Sequence, residues 1–407
     1  MVQKSNHIVV VGGCGHVGLP LGIVLAKSGF KVTLLDIDTA KVAMVNAGQM
    51  PFMERGAEPL LIEVIKRNLI ATLDQKCLRS ADIVLTVVGT PVDAHLNPTV
   101  HALYKSIDEL MEYMQDGSLL ILRSTVSPGV TRLVYQRIRA LGRAIDVAFC
   151  PERIAEGNAI EELVKLPQIV AAFEQHALAR ARNVFEQIAP LIIELDPLEA
   201  ELAKLFTNSW RYLNFAVSNQ FYMLATTYGL DFYKIHNAIT EGYPRMRSFA
   251  AAGFAAGPCL VKDTLQLAAF SGNNFFLGHS AMLINEGLPN FLVSQLRQHG
   301  LEEKTVAILG MAFKAESDDK RDSLSYKLKK LLEVEAKQVL CTDPYVPDKN
   351  LVPLQHAIDK ADVIIVGAPH HQYRDLSFSP ETIVVDIWNV WPQLRVSQTM
   401  AAASGER

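Results

Sequence analysis

The chain has 407 residues, a formal net charge of −4, and 49% hydrophobic against 20% charged residues. That balance excludes the basic footprint of a nucleic-acid binder and the apolar-poor composition of a disordered chain, and it leaves room for two or three domains with cores of their own. Five cysteines, an odd number spread over a long chain, do not make a disulfide framework and point to a reducing, cytoplasmic setting.

The first apolar run, Ile8 to Ala26, could be read as a signal peptide or a membrane span. Gly12, Gly13, Gly15, Gly18, Gly22 and Pro20 decide against both, because they cripple a spanning helix but suit a strand, a tight loop and a helix start. No membrane association is expected. Strands are predicted at His7 to Val11, Lys31 to Leu35, Asp82 to Val88, Leu119 to Arg123, Val147 to Cys150, Gln168 to Ala171 and Ile192 to Glu194. They alternate with helical patterns, the signature of a parallel sheet flanked by helices. From Pro197 to Gly300 no strand run occurs; long helical patterns cover Leu198 to Tyr228, Phe232 to Ile239 and Ser280 to Gln298. Strands resume at Thr305 to Leu309, Gln338 to Cys341, Val363 to Val366 and Thr382 to Asp386. The expected fold class is α/β: two Rossmann-like parallel-sheet domains, 1–196 and 301–407, joined by a central all-α region, 197–300, with a long helix. Both sheet domains open with strand, glycine turn and helix, and reach an acid after the next strand, Asp36 and Asp343. The tail after Thr399 is small and polar and should fray.

Gly13-Cys14-Gly15-His16-Val17-Gly18 follows a predicted strand and opens a predicted helix, where a dinucleotide fingerprint must sit. Glycine there permits the tight turn and lets a pyrophosphate approach backbone amides at a helix N-terminus. Asp36 follows after about 20 residues at the end of the second strand, where a carboxylate accepts ribose hydroxyls and repels a 2′-phosphate, so NAD is favoured over NADP. A glycine-rich turn with a surface acid is the plainer alternative. Cys14 reads as a tolerated loop side chain.

Cys259 stands in a small-residue loop, Gly253 to Pro258, that runs into a helix at Leu260-Val261-Lys262-Asp263. A thiol at a helix N-terminus beside an ammonium has its thiolate favoured, because macrodipole and cation both stabilise the anion. Read alone, a cysteine here also fits a small buried hydrophobe, as Cys77, Cys150 and Cys341 do in their apolar runs.

Together with these two loops, Ser124-Thr125-Val126-Ser127-Pro128-Gly129, Pro151-Glu152-Arg153-Ile154-Ala155-Glu156-Gly157, Lys204 to Asn208, and Gly310-Met311-Ala312-Phe313-Lys314 followed by Asp318-Asp319-Lys320-Arg321 resemble the UDP-sugar 6-dehydrogenase family. The segments occur in the family's order from Ile8 to Asp386. The resemblance implies a four-electron oxidation of a sugar C6 alcohol by two NAD in succession, with Cys259 holding the aldehyde covalently before a thioester is hydrolysed. It implies that Lys204 and Asn208, one helical turn apart, stabilise the oxyanion, and that Thr125, Glu156 and Asp263 order water and move protons. The residues themselves leave open a cap for Glu156, a turn for Thr125 and a solvated face for Lys262 and Asp263. The NAD-contacting set is expected to comprise Gly13, Gly15, His16, Val17, Gly18, Asp36, Thr90, Thr125 and Lys262, with Lys262 alternatively supporting the thiolate or the sugar. The substrate set comprises Glu152, Arg153, Lys204, Asn208, Arg245, Lys314 and Arg321; no metal is expected.

Several positions depart from the family pattern. Asp386-Ile387-Trp388-Asn389 carries Trp388 where the family usually has arginine, Ala255 and Ala256 stand for glycines, and Ala171-Ala172 for a glycine pair. Pro151-Glu152-Arg153 and Tyr243-Pro244-Arg245 resemble the UDP-N-acetylhexosamine branch, including UDP-N-acetylmannosamine dehydrogenases, whereas Cys259-x-x-Lys262-Asp263-Thr264 also occurs in the UDP-glucose form. The N-acetyl branch is the expectation. A two-electron hydroxyacid-type dehydrogenase and an NAD-binding regulatory protein without chemistry are the rival readings. The apolar helix Leu198 to Tyr228 corresponds to the family's dimer interface, so a homodimer is expected, with a core helix as the alternative.

Overall fold

Short β-branched runs buried on both faces build parallel sheets, and this chain has two. The computed structural model describes residues 6–88 and 99–393. Thr90 and the tail after Thr399 lie outside those residues. Two compact units divide the chain, the first up to Thr207 together with Ala269–Gly272, the second from Asn208 to Ala268 and from Asn273 onward.

The first unit carries β1 (His7–Val11), β2 (Lys31–Leu35), β3 (Leu69–Thr72), β4 (Ile83–Thr86), β5 (Leu119–Leu122), β6 (Asp146–Phe149), β7 (Gln168–Ala172) and β8 (Ile192–Leu195). Their order is β3-β2-β1-β4-β5-β6-β7-β8, so the chain reverses its direction of growth between β1 and β4. In such a doubly wound sheet a ligand binds beyond the carboxyl ends of the strands at that reversal. Side chains alternate between two cores, with Ile8, Val10, Leu34, Leu85 and Ile121 on one face and Val9, Leu35, Val84, Leu120 and Leu122 on the other. The edge strand β3 was not expected from the sequence, because four residues, Leu-Ile-Ala-Thr, are too few to establish a period. The sheet is parallel, as expected, except at one pairing, where β7 runs antiparallel to β6. The connection between them, residues 150–167, contains the seven-residue helix Ala159–Lys165.

The second unit carries β9 (Thr305–Leu309), β10 (Gln338–Thr342), β11 (Val363–Val366) and β12 (Ile383–Val385), parallel throughout in the order β10-β9-β11-β12. No strand interrupts residues 196–304. The helices there are Pro197–Thr227, whose residues from Asn208 belong to this unit, Phe232–Thr240, Leu260–Phe270 and Phe276–Leu296. Leu288, Leu292, Val306, Ile308, Leu328 and Val363 form one core; Ala307, Leu309, Ile364, Val366 and Trp391 form another. Among the described residues no helix is long and apolar enough to cross a membrane.

Each sheet ties its first turn to the acid ending the neighbouring strand. Cys14 N donates to Asp36 Oδ2 at 2.8 Å, and Met311 N and Ala312 N donate to Asp343 Oδ2 at 2.6 and 2.9 Å. The two acids then diverge. Asp36 is half-buried, whereas the Asp343 side chain is fully buried and also accepts from Tyr345 N, Val346 N and His370 Nε2. Burial alone would raise its pKa, but the His370 ring and the backbone amides outweigh that and hold it at about 2. His370 Nδ1 accepts from Glu316 N at 3.0 Å, which leaves Nε2 as the protonated nitrogen.

Candidate active site

The glycines of the first turn have separable jobs. A Cβ on Gly13 would lie 2.7 Å from Leu34 Cβ, and one on Gly18 would lie 2.5 Å from Gly12 O, so both positions need hydrogen for the turn and helix Gly18–Lys27 to close. A Cβ on Gly15 would meet only Gly12 O, at 3.6 Å, so this face of the turn is open to an approaching phosphate. Val17 occupies the N-cap without a side-chain cap; Leu19 N already donates to Gly15 O at 3.0 Å and Pro20 carries no N–H, so Gly18 N is the first-turn amide placed to meet a ligand. Asp36 Oδ1 accepts from Ile37 N and Asp38 N at 2.8 and 3.1 Å, fixing the carboxylate at the end of β2. The His16 ring packs 4.0 Å from that of Phe52. A cavity of about 250 Å³, lined by Val11, Leu35, Leu103, Ile107 and Ser124 among others, lies on the same unit and could hold a planar heterocycle. These features fit a dinucleotide. Cys14 is buried, and burial, then the Asp36 charge, pushes its thiol up to about 12, so it takes no nucleophilic part.

The segments carrying Thr125 and Glu156 are fixed by acids that the sequence did not single out. Glu201, buried on helix Pro197–Thr227, accepts from Gly129 N and Thr131 N at 2.6 and 2.7 Å, binding the start of helix Val130–Ala140 just after Thr125. Burial raises the Glu201 pKa. Glu54 accepts from Gly157 N and Ala159 N, each at 2.8 Å. The cap of helix Ala159–Lys165 is therefore Glu54 and not Glu156, which is half-buried in the loop that Glu54 secures. Glu152 turns inward. Its Oε2 pairs with the fully buried Arg123 at 2.6 Å and its Oε1 accepts from Arg153 N and Ile154 N at 2.8 and 3.1 Å. Arg123 also donates to Cys150 O and Gln168 Oε1 and lies 4.7 Å from the Phe185 ring centroid. Arg153 donates to Pro167 O, and its burial lowers its pKa. Lys204 is buried on the long helix, one turn before Asn208.

In the second unit Cys259 is exposed and immediately precedes helix Leu260–Phe270. Its carbonyl accepts from Asp263 N at 2.9 Å, so it stands at the N-cap, where the dipole stabilises an anion by about 0.3–1 kcal/mol. The buried-hydrophobe alternative does not hold for this cysteine, whereas Cys150 and Cys341 are buried and their thiols are pushed up to about 12. Asp263 is wholly buried and accepts from the buried Asn208 Nδ2 at 2.6 Å, while Lys262 Nζ lies 3.6 Å from its other oxygen. The solvated-face alternative is thereby overturned for Asp263 and retained for Lys262, which is exposed. Gly257 takes a left-handed φ of 100°, and a Cβ there would lie 2.6 Å from the Phe313 ring. Ala255 and Ala256, by contrast, have negative φ, so their methyls bring no left-handed strain.

Three segments match the domains of one family, in order. They are the NAD binding domain of the UDP-glucose/GDP-mannose dehydrogenase family at residues 6–189, its central domain at 198–286 and its UDP binding domain at 307–393. The chain belongs to the UDP-glucose/GDP-mannose dehydrogenase family. It is an NAD-dependent UDP-sugar dehydrogenase. A UDP-N-acetyl-D-mannosamine dehydrogenase of Pyrococcus horikoshii is 28% identical over 383 residues, 91% of each chain. The solved UDP-D-ManNAc dehydrogenase from the same organism superposes with a TM-score of 0.87 at 27% identity, covering 95% of this chain and 96% of that one. A UDP-glucose dehydrogenase from Pyrobaculum islandicum superposes with a TM-score of 0.88 at 25% identity, covering 97% of each.

The dehydrogenase's UDP binding domain contains Lys314 and Arg321. Arg321 grips Asp319, with Nε 3.0 and 2.9 Å from the two carboxylate oxygens, and is half-exposed. Lys314 Nζ lies 5.5 Å from the Phe313 ring centroid. Arg245 is exposed and donates to Tyr243 OH at 2.9 Å. Sequence reasoning singled out the glycines, Asp36, Cys259, Asn208 and Asp263, but not the Asn208–Asp263 hydrogen bond, nor Glu54, Glu201 and Arg123. Arg123 carried a sequence signal, a basic residue ending the apolar run Leu119 to Leu122, whereas Glu54 and Glu201 stand among other charged residues and carried none.

Proposed function

We propose that this dehydrogenase oxidises the C6 alcohol of a UDP-N-acetylhexosamine, UDP-N-acetylmannosamine foremost, to the uronic acid through a covalent adduct on Cys259. The supporting observation is the exposed thiol at a helix start above a buried Asn208–Asp263 pair. NAD, when bound, supplies the hydride acceptor for each of the two oxidations. The Cys259 thiolate adds to the aldehyde carbon left by the first oxidation, forming a C–S bond and placing the electron pair on oxygen. Hydride loss from that carbon gives a thioester, and water then displaces the thiol, releasing carboxylate and a proton. Overall one alcohol, two NAD⁺ and one water yield one carboxylate, two NADH and three protons. Asn208 and Lys204 are assigned to the oxyanion, where a fixed amide or cation is worth a few kcal/mol. Thr125, Glu156 and Asp263 are assigned to the water and protons, and Lys314, Arg321, Arg245 and Arg153 to the nucleotide sugar. Glu152 acts by holding Arg153 and Ile154 in place.

The N-acetyl preference is supported by the names of the relatives and by Tyr243-Pro244-Arg245. UDP-glucose is the second reading, favoured by the likeness to the Pyrobaculum enzyme. The deciding measurement is NADH formed per sugar consumed, with UDP-N-acetylmannosamine and UDP-glucose compared. Two NADH per UDP-N-acetylmannosamine is the expected result; one NADH, or turnover with UDP-glucose alone, refutes it.

The chain is further read as a homodimer. Phe206, Trp210, Val217, Phe221, Leu224 and Tyr228 form an exposed stripe along the long helix, with relative exposures of 46–77%. Their spacing of three, four and seven keeps them on one face, and a stripe of that size calls for a partner. Sedimentation should give about twice the 44.9 kDa chain mass. A mass near that of one chain removes the dimer. Five unbridged cysteines support the cytoplasmic setting.

A further inference from the structure

Trp388 replaces the family's usual arginine, and its surroundings give it a different task. A Cβ on Gly253 would lie 2.3 Å from Trp388 Cζ3 and 2.5 Å from Cε3 and Cη2, so the six-membered ring covers the Gly253 Cα and only glycine admits it. Gly253 belongs to the loop that leads into Cys259. Asn219 clamps the same residue, donating to Gly253 O and accepting from Gly253 N, each at 2.9 Å. Ser218 Oγ bonds Ala250 O at 2.6 Å. Tyr233 OH bonds Ile387 O at 2.7 Å and reaches Ala252 O at 3.2 Å, so it joins the loop to the residue beside Trp388.

The indole is also tied to the sheet. Its Nε1 donates to Gly367 O at 3.1 Å, directly after β11, and a Cβ on Gly367 would lie 2.3 Å from Gly310 O, directly after β9. The ring thus bridges the carboxyl ends of the two central strands, where an open parallel sheet receives its ligand, and the backbone of the nucleophile loop. Arginine offers no comparable apolar face and brings a charge that needs water or a partner, whereas an indole packs and still satisfies its one donor.

We propose that Trp388 is a positioning residue that sets the Cys259 loop through Gly253 and does not serve as a nucleotide contact. The inference deepens the covalent reading above and rests on it for its catalytic consequence, but the placement of the loop can be tested apart from turnover. The full-length W388A, W388R and W388F variants are treated with iodoacetamide, and alkylation is followed peptide by peptide, with the half-buried Cys77 as internal reference. W388A and W388R should change the Cys259 rate by about threefold or more relative to Cys77, and W388F, which keeps a ring over Gly253, should stay within about twofold of the parent. With UDP-sugar, W388R should lose about tenfold in kcat at nearly constant KM. Should W388A fail to fold, as judged by loss of a thermal unfolding transition present in the parent, W388R carries the test. An unchanged Cys259 rate in W388R, or a loss confined to KM, overturns the proposal. If C259S still forms acid, the covalent reading falls, while the alkylation result continues to report on the loop.

Discussion

Replacing Cys259 by serine is expected to lower acid formation by about 10³-fold or more while NAD still binds. Serine keeps the size and the N-cap position, so helix Leu260–Phe270 should be undisturbed. What is lost is the nucleophile: a thiol at a helix start offers a thiolate that the helix terminus favours, and an alcohol does not. The first oxidation does not require sulfur. Residual turnover should therefore stop at about one NADH per sugar, with aldehyde trappable by hydroxylamine. Stopped-flow absorbance and mass analysis of the product decide the matter; a serine enzyme making acid at the parent rate is incompatible with the adduct.

Loss of Arg123 should be the most damaging single change to stability away from the chemistry. Its guanidinium is fully buried and serves Glu152, Gln168 and Cys150 O together. Arg123→Ala leaves the Glu152 carboxylate buried without its cation, and breaking a pair of this kind costs about 3–5 kcal/mol. The expected result is a clear fall in the first thermal transition, with Lys204 and Cys259 untouched. Replacing Arg123 and Glu152 together by methionine should recover part of the loss, because no charge is left stranded. Calorimetry on the single and double variants tests this; equal destabilisation in both would assign the cost to packing alone.

The parts legible in the sequence were those whose information is local. Gly13, Gly15 and Gly18 lie within six residues and Asp36 ends the next strand, so periodicity and turn chemistry sufficed there, whereas the Cys259 loop stood out locally but took its role from the family resemblance. The hidden parts depend on partners distant along the chain. Glu54 binds Gly157 from 103 residues away, and Glu201 binds Gly129 from 72. An isolated acid in a loop or on a helix carries no mark of the amide it will accept from. The antiparallel β7 was hidden for a related reason, since strand residues look the same in either direction and the pairing depends on a partner strand. Trp388 was visible as a departure from the family pattern, but its role required Gly253, which the loop's own composition did not connect to it.

The divergence of Asp36 and Asp343 has a consequence for how the molecule discriminates between its two nucleotides. Five donors converge on the two oxygens of Asp343, so that carboxylate has no lone pair left to greet the diol of an adenosine. The C-terminal sheet, though built on the same plan, is closed to a dinucleotide from within. A ribose diol presented there would meet a carboxylate already satisfied by one histidine ring and four amides, whereas Asp36 accepts from three amides.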